Sequence, residues 1–266
     1  SILIIIICII ILTISALISS FVRVFLIHFN LVAYLKKDAF EINQGLLTKK
    51  SIVLKKQKVQ SITISTNPIK RLFGISFITF KQAASGKINV KKNKLIRIVG
   101  CKRNQVETVK SSLFNTAQLE NSDKKRTDNY YKKRLFFILS FFTITLYTVL
   151  VYVVDSLEVL YSVVVIAPLI IFLILKKVEK RYYKISESML LVGSGLLETH
   201  LTYLEIFKVQ NIKMKQNIFQ ERSNVADLIL QTASGKIKIP CIHFNDAIQI
   251  YNHTLFKVET SKSLWM

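Results

Sequence analysis

Lysine and arginine are the residues through which this 266-residue chain is equipped to act. It carries 38 Lys and Arg against 16 Asp and Glu, a formal net charge of +22. Residues 29–134 hold 24 of these cations against 6 acidic residues, and residues 176–266 hold 13 against 8. Lys55, Lys56 and Lys58 crowd one strand pair, and Lys70-Arg71 follow Pro68 in a turn. Cations grouped in this way suit an anionic surface such as lipid headgroups, where each contributes about 1 kcal/mol. These five residues are the candidate surface contacts. Nucleic acid is the other partner of a basic face, but residues 41–65 contain no aromatic side chain on which bases could stack. Ordinary solvation and membrane orientation account for the same lysines equally well.

Catalytic chemistry finds no foothold. The P-loop, dinucleotide, zinc-protease and nucleophile-elbow spacings are all absent. Gly193-Ser194-Gly195 is a turn at a strand junction, since no Lys-Ser/Thr follows it. Asp155 and Glu158 sit three apart in a turn and read as a helix-hairpin cap. His28, His200, His243 and His253 have no metal-ligand spacing with Cys or acidic residues, and no CxxC pair occurs. Cys8 lies in an apolar run, where a thiol behaves as a small apolar group. Cys101 and Cys241 follow the last strand of two similar segments and read as buried equivalents or inert surface thiols. The expectation is a protein with no catalytic residue, no metal and no cofactor, and therefore not an enzyme.

Those segments are copies of one module. Gly45-Leu46-Leu47, Leu54, Lys58-Val59-Gln60, Ile62 and Asn67 recur 150 residues later as Gly195-Leu196-Leu197, Leu204, Lys208-Val209-Gln210, Ile212 and Asn217. The match resumes one residue out of step, with Ala84-Ser85-Gly86-Lys87-Ile88 against Ala233-Ser234-Gly235-Lys236-Ile237. Three uncharged blocks surround the copies: Ser1–Val22, Leu135–Val154 and Val159–Leu175. Each approaches the length that crosses a hydrocarbon core of about 30 Å. Buried core helices are the alternative, and the Lys/Arg clusters flanking every block weigh against it. A signal peptide would need basic residues ahead of the first block, and none precede Arg23.

Positive charge marks one side. Arg23, Lys36 and Lys37 follow the first block. Six Lys/Arg between 124 and 134 precede the second, and Lys176, Lys177, Lys180 and Arg181 follow the third. The positive-inside rule puts both copies in the cytoplasm and the Asp155–Glu158 turn outside. The chain starts within the apolar run, so it reads as part of a longer or processed protein whose upstream helix would complete a first hairpin. The second and third blocks hold no ionisable residue, which argues against an ion pathway. Pro168 predicts a kink in the third.

Within each copy, short β-branched runs predict strands: Ser51–Lys55, Val59–Ser65 and Ile75–Phe80, then Thr202–Ile206, Val209–Met214, Val225–Leu230 and Ile237–Ile239. Ala84–Lys87 and Ser234-Gly235 predict hairpin turns into the last strand, and Asn67-Pro68 predicts a break. Val106, Val109 and Leu113 predict a closing helix capped at Asn104. Ala247, Ile248, Tyr251 and Leu255 predict its counterpart, capped at Asn245 or Asp246. The fold class is a membrane protein of α+β type, with transmembrane helices and two curled antiparallel sheets, each closed by a C-terminal helix. The boundaries are a helix at 1–28, a first domain at 29–119, a basic linker at 120–134, a helical hairpin at 135–175 and a second domain at 176–266.

Gly45-Leu46-Leu47, Lys58–Ile62, Asn67–Gly74 and Ala84-Ser85-Gly86 resemble the bacterial pleckstrin-homology-like (PH-like) domain of YdbS/YdbT-type membrane proteins. The resemblance implies a seven-stranded, partly open barrel with a C-terminal helix, and paired transmembrane helices before each domain. It brings no catalytic residues. The second copy departs from it at Ile218–Asn224. The resulting expectation is an integral protein of the bacterial inner membrane, with tandem cytoplasmic PH-like domains acting as a non-enzymatic binding or scaffold module. Its partners would be the lipid bilayer with its anionic headgroups, and an unknown protein partner or a second copy of the chain, with no nucleic acid. The alternative is a subunit of an export or envelope-stress system in which the helices take part directly.

Overall fold

The computed structural model describes residues 2–83, 96–115, 119, 121–154, 161 and 163–261. Helix α1 (Ile2–His28) leads into the first copy: β1 (Val32–Leu35), β2 (Ala39–Gln44), β3 (Lys50–Lys55), β4 (Val59–Thr66), α2 (Pro68–Leu72), β5 (Ile75–Gln82), β6 (Ile96–Lys102) and α3 (Arg103–Leu113). A short strand β7 (Lys125–Arg126) precedes the apolar helices α4 (Asn129–Val154) and α5 (Val163–Glu179). The second copy follows as β8 (Tyr182–Ile185), β9 (Met189–Gly195), β10 (Thr199–Glu205), β11 (Val209–Lys215), α6 (Ile218–Arg222), β12 (Val225–Thr232), β13 (Gly235–His243) and α7 (Phe244–Thr260). The turns expected at Ala84–Lys87 and Asp155–Glu158 lie outside the described residues, as do residues 88–90, where the first turn was expected to lead into the last strand.

The two copies share one sheet. Strand β10 of the second pairs antiparallel with β4 of the first, giving the seven-stranded order β6-β5-β4-β10-β9-β8-β7. Strands β1-β2-β3 and β11-β12-β13 form separate three-stranded sheets. Each copy thus contributes two layers of three strands over a common core. The expected antiparallel strands with a closing C-terminal helix are present in each copy, but the expectation of a single curled sheet per copy needs correcting: each copy's strands divide between two sheets, one of which runs on into the other copy. A seventh strand joins the second copy only because the linker supplies β7, whose Lys125 and Arg126 pair with Tyr183 and Tyr182.

This joint is packed as tightly as an interior. Thr63 faces Thr202 across the pair, with hydroxyls 3.1 Å apart, and Tyr203 faces Ile62. Met189, Leu191 and Tyr203 of the second copy are buried in the hydrophobic cluster built on Phe40, Ile62 and Phe80 of the first. The buried Lys208 lies in a one-turn 3₁₀ segment, bonds Glu205 at 2.6 Å and donates to the Val59 carbonyl of the other copy at 2.7 Å. Non-directional burial of apolar area supplies the stabilisation, and the ladder of backbone hydrogen bonds sets the register.

The repeated residues have physical reasons. Asn67 and Asn217 cap the short helices α2 and α6, accepting from the Lys70 and Gln220 amides at 2.7 and 2.8 Å. The Asn67-Pro68 break is therefore a helix start, and the divergent Ile218–Asn224 stretch makes the same capped turn. Gly45 and Gly195 adopt φ of 110° and 123°. A Cβ there would lie 2.2 Å from the Thr48 carbonyl oxygen or 1.8 Å from that of Glu198, so only glycine closes these hairpins.

Other expectations shift by a residue. Helix α3 starts at Arg103, so Asn104 lies inside its first turn, and Gln105 accepts from the Lys102 amide at 2.8 Å. Helix α7 starts at Phe244, which leaves Asp246 to bond Lys125 at 2.7 Å. Both Cys101 and Cys241 are buried, but they are not equivalents. Cys101 pairs with Ser76 just before a closing helix. Cys241 takes the left-handed bulge position, at φ 49°, that Gly100 holds in the first copy at φ 74°. Pro168 lies within α5, which runs unbroken through it. Two described helices are long and apolar enough to cross a bilayer, over Ile7–His28 and Asn129–Val153. The 17 residues of α5 fall just short of that length.

A buried carboxylate bolts α4 to the second copy. Asp227 on β12 accepts from the Cys241 amide at 2.9 Å, Gln220 at 3.0 Å, Lys238 at 2.8 Å and Arg134 of α4 at 3.4 Å. Burial alone would raise its pKa, but Lys238, the Cys241 amide and Arg134 outweigh it and hold the carboxyl below the usual range. A depressed folded pKa stabilises above the unfolded value near 4 and is lost as pH falls. Asp227→Asn is expected to lose about 2 kcal/mol at neutral pH, because cations and an amide lose a buried partner that is shared with solvent. Urea unfolding of the detergent-solubilised protein checks this, and the gap to wild type should narrow below about pH 4.

The joint is head-to-tail, so it leaves one edge of each kind unused. Strand β3 is the counterpart of β10, and β11 is the counterpart of β4. Carrying the observed register over by 150 residues sets Lys50 opposite Lys215 and Val53 opposite Ile212. Like charges directly opposed are destabilising, and lysine is a common guard of sheet edges. The full chain in detergent is therefore expected not to associate through these edges. A K213E/K215E variant should associate with itself, and adding K50E should reverse that. Light-scattering mass measures all three.

Candidate functional site at the helix ends

The ends of the apolar helices and the tips of the domain hairpins meet at one level. The β2–β3 tip docks on the end of α1: the Gly45 amide donates to the Phe29 carbonyl at 2.9 Å, and the Leu46 amide to Leu26 at 3.0 Å. His28 and Gln44 side chains add a contact at 3.0 Å. The β9–β10 tip docks on the end of α5 by different chemistry. Here the Lys180 ammonium donates to the Leu196 and Leu197 carbonyls, both at 2.6 Å. Identical Gly-Leu-Leu tips are thus held by backbone amides in one copy and by a lysine in the other.

Apolar side chains stand out beside these anchors. Leu47 is 80% exposed, Leu72 82% and Phe73 70%. Leu197, Ile69, Ile218 and Phe219 are also well exposed. Contiguous exposed apolar groups on a folded domain mark a surface that meets something apolar. Basic residues lie among them. Lys132 and Lys133 line a cleft between α4 and α5 together with Phe136 and Phe137. A second groove, of about 520 Å³, lies between α2, α5 and the β9–β10 tip. Its walls carry Arg71, Lys176 and Lys180 with Leu72, Phe172 and Leu197, and no acidic residue.

The five candidate contacts are split by the fold. Lys55, Lys56 and Lys58 lie at the end of β3 remote from the Gly45-Leu46-Leu47 tip, a strand length of six residues, or about 20 Å, away. Lys70 and Arg71 lie on α2, beside the helix ends. Lys70 is engaged: it pairs with Glu198 across the joint between the copies and sits 3.7 Å from the centroid of the Phe77 ring. Arg71 faces the groove. Lys176 and Lys180 join it there. Their positions beyond the third apolar block served in the sequence as an orientation signal, and the four-residue steps from Phe172 to Lys176 to Lys180 were the sign that they share a helical face.

Three buried titratable groups among the described residues have structural settings. Asp227 has its partners in the bolt described above. Burial pushes the Cys101 thiol up to about 11, so it is a poor nucleophile. Burial and Asp246 both raise the Tyr183 hydroxyl. Among the described residues, no group of three or more His, Cys, Asp or Glu could hold a metal ion.

No curated protein matches the chain in sequence. The bacterial PH domain family matches it twice, over residues 1–117 and 135–256, each match taking in an apolar helix as well as the strands behind it. PH-like domains are generally binding modules, and the two antiparallel-sheet units with their closing helices fit that type. With the repeat, the strand order and both matches in agreement, the chain belongs to the bacterial PH domain family.

Proposed function

We propose that this protein spans the bacterial cytoplasmic membrane with α1, α4 and α5. Its two PH-like domains then form one binding and scaffold platform on the cytoplasmic face. The observation that carries this reading is the shared level of the helix ends, the Gly-Leu-Leu tips and the exposed Leu72 and Phe73. A bilayer surface would cover these apolar groups, and the cations around them would lie among its headgroups. The helices α4 and α5 pack against each other as a hairpin, which suits a pair that enters and returns. The joint β4·β10 makes the two domains a single body, so the platform presents one continuous surface to a protein partner.

Orientation is tested with single cysteines in a C8S background, since the buried Cys101 and Cys241 are shielded. A cysteine at Tyr161, exposed at the start of α5, should react with an impermeant thiol reagent in intact cells. One at Ser111, exposed on α3, should react only after lysis. The reverse pattern would overturn the cytoplasmic placement.

A further inference from the structure

The groove between α2, α5 and the β9–β10 tip combines features that the platform reading leaves unused. Phe172 and Lys176 lie one turn apart on a single face of α5, about 6 Å in rise, and Lys180 continues that line just past the helix end, its amide donating to the Lys176 carbonyl at 3.4 Å. The face changes from apolar to cationic in the direction in which a bilayer changes from acyl chain to headgroup. Arg71 adds a guanidinium from the first copy, and Leu197 adds an apolar group from the second. Thr66 and Thr199 also line the walls. Lys180 has donated two of its three N–H groups to the Leu196 and Leu197 carbonyls, which leaves one. Among the described residues, Lys176 has the solvent-facing Glu179, at 3.2 Å, as its one ion-pair partner. Among the described residues Arg71 has no ion-pair partner. Burial first, and then the nearby Arg71 and Lys176, hold Lys180 below the ordinary lysine range, against a smaller opposing effect of Glu179.

We propose that this groove is a binding site for one anionic phospholipid. Its phosphodiester lies between Arg71, Lys176 and Lys180, and an acyl chain lies along Phe172 and Leu72. Arg71 offers a planar fork that a phosphate can take with two hydrogen bonds. The groove walls carry no carboxylate for the amine of a zwitterionic headgroup, and the exposed Glu179 is paired with Lys176, so the groove selects net negative charge. Because its walls come from both copies and from α5, a bound lipid ties the domain joint to the helix. The site rests on the reading that α5 lies in the membrane.

The test uses the full chain in nanodiscs of phosphatidylcholine containing a small fraction of fluorescent phosphatidylglycerol, with energy transfer from a dye placed on the protein. Lys180 stays in place, since it holds the hairpin tip. R71Q/K176Q should weaken phosphatidylglycerol enrichment by on the order of 20-fold, about fivefold per cation. K55Q/K56Q/K58Q, which removes more charge at the remote end, should change it less than twofold. An equal loss in both variants would overturn the site in favour of diffuse attraction. Full competition by millimolar glycerol phosphate would overturn the lipid in favour of a soluble phosphate ligand. Competition by polyglutamate would overturn it in favour of an acidic protein. Alkaline carbonate extraction separates the two readings. Release of the protein from membranes would sink the spanning reading itself, and a retained protein without selective enrichment would sink only the lipid site.

Discussion

Everything in this molecule hangs on six residue pairs between β10 and β4. An antiparallel strand pair needs two edges, and a small PH-like unit has more edge than it can cover. The second copy covers one edge of the first, and the backbone groups on both sides find partners that water would otherwise supply. The same contact buries Met189, Leu191 and Tyr203 in the neighbouring core, so hydrogen bonding and apolar burial reinforce one register. Glu198 and Lys208 then reach across to Lys70 and to the Val59 carbonyl, fixing both ends of the joint by charge. The same register sets Thr199 opposite Thr66, which brings the β9–β10 tip that anchors α5 beside α2 of the first copy.

Much of this was legible in the residues. The repeat showed two units because Gly45, Asn67 and their copies each meet a backbone demand that few residues satisfy. Alternating β-branched runs located most strands, since a half-buried strand leaves a period-two signature. What the sequence did not reveal was that β4 is buried along nearly its whole length, as befits the centre of a sheet. Its alternation set Ile62 and Ile64 on one face and left the burial of its Thr and Ser residues open. Ser61 and Ser65 are buried and Thr63 is half-buried, in a strand that has a partner on both sides: β5, and a strand 139 residues away in the chain at the Thr63–Thr202 contact. Local pattern carries no record of so distant a partner.

The site was legible only in part, for a related reason. Charge density drew attention to Lys55, Lys56 and Lys58 as much as to Lys70 and Arg71, because clustering along the chain is all that a composition can express. Strand length separates these groups in space. The true neighbours of Arg71 are Lys176 and Lys180, more than one hundred residues away. Asp227 was likewise unremarked: its counterpart in the first copy is an aromatic residue, Phe77, which Lys70 covers where Gln220 bonds the carboxylate. The two copies kept one contact and changed its chemistry.

The shared sheet also has a mechanical meaning. A twisted seven-stranded ladder is stiff along its hydrogen bonds. Its β9–β10 tip is clamped to α5, and the β2–β3 tip of the three-stranded sheet that shares the first copy's core is clamped to α1. The separation of those two helix ends is thereby set by the packed sheets. A change in the tilt of one helix must turn both domains together or break the joint. The molecule is built as a strut, with the helices as its feet and the sheet as the bar that holds them apart.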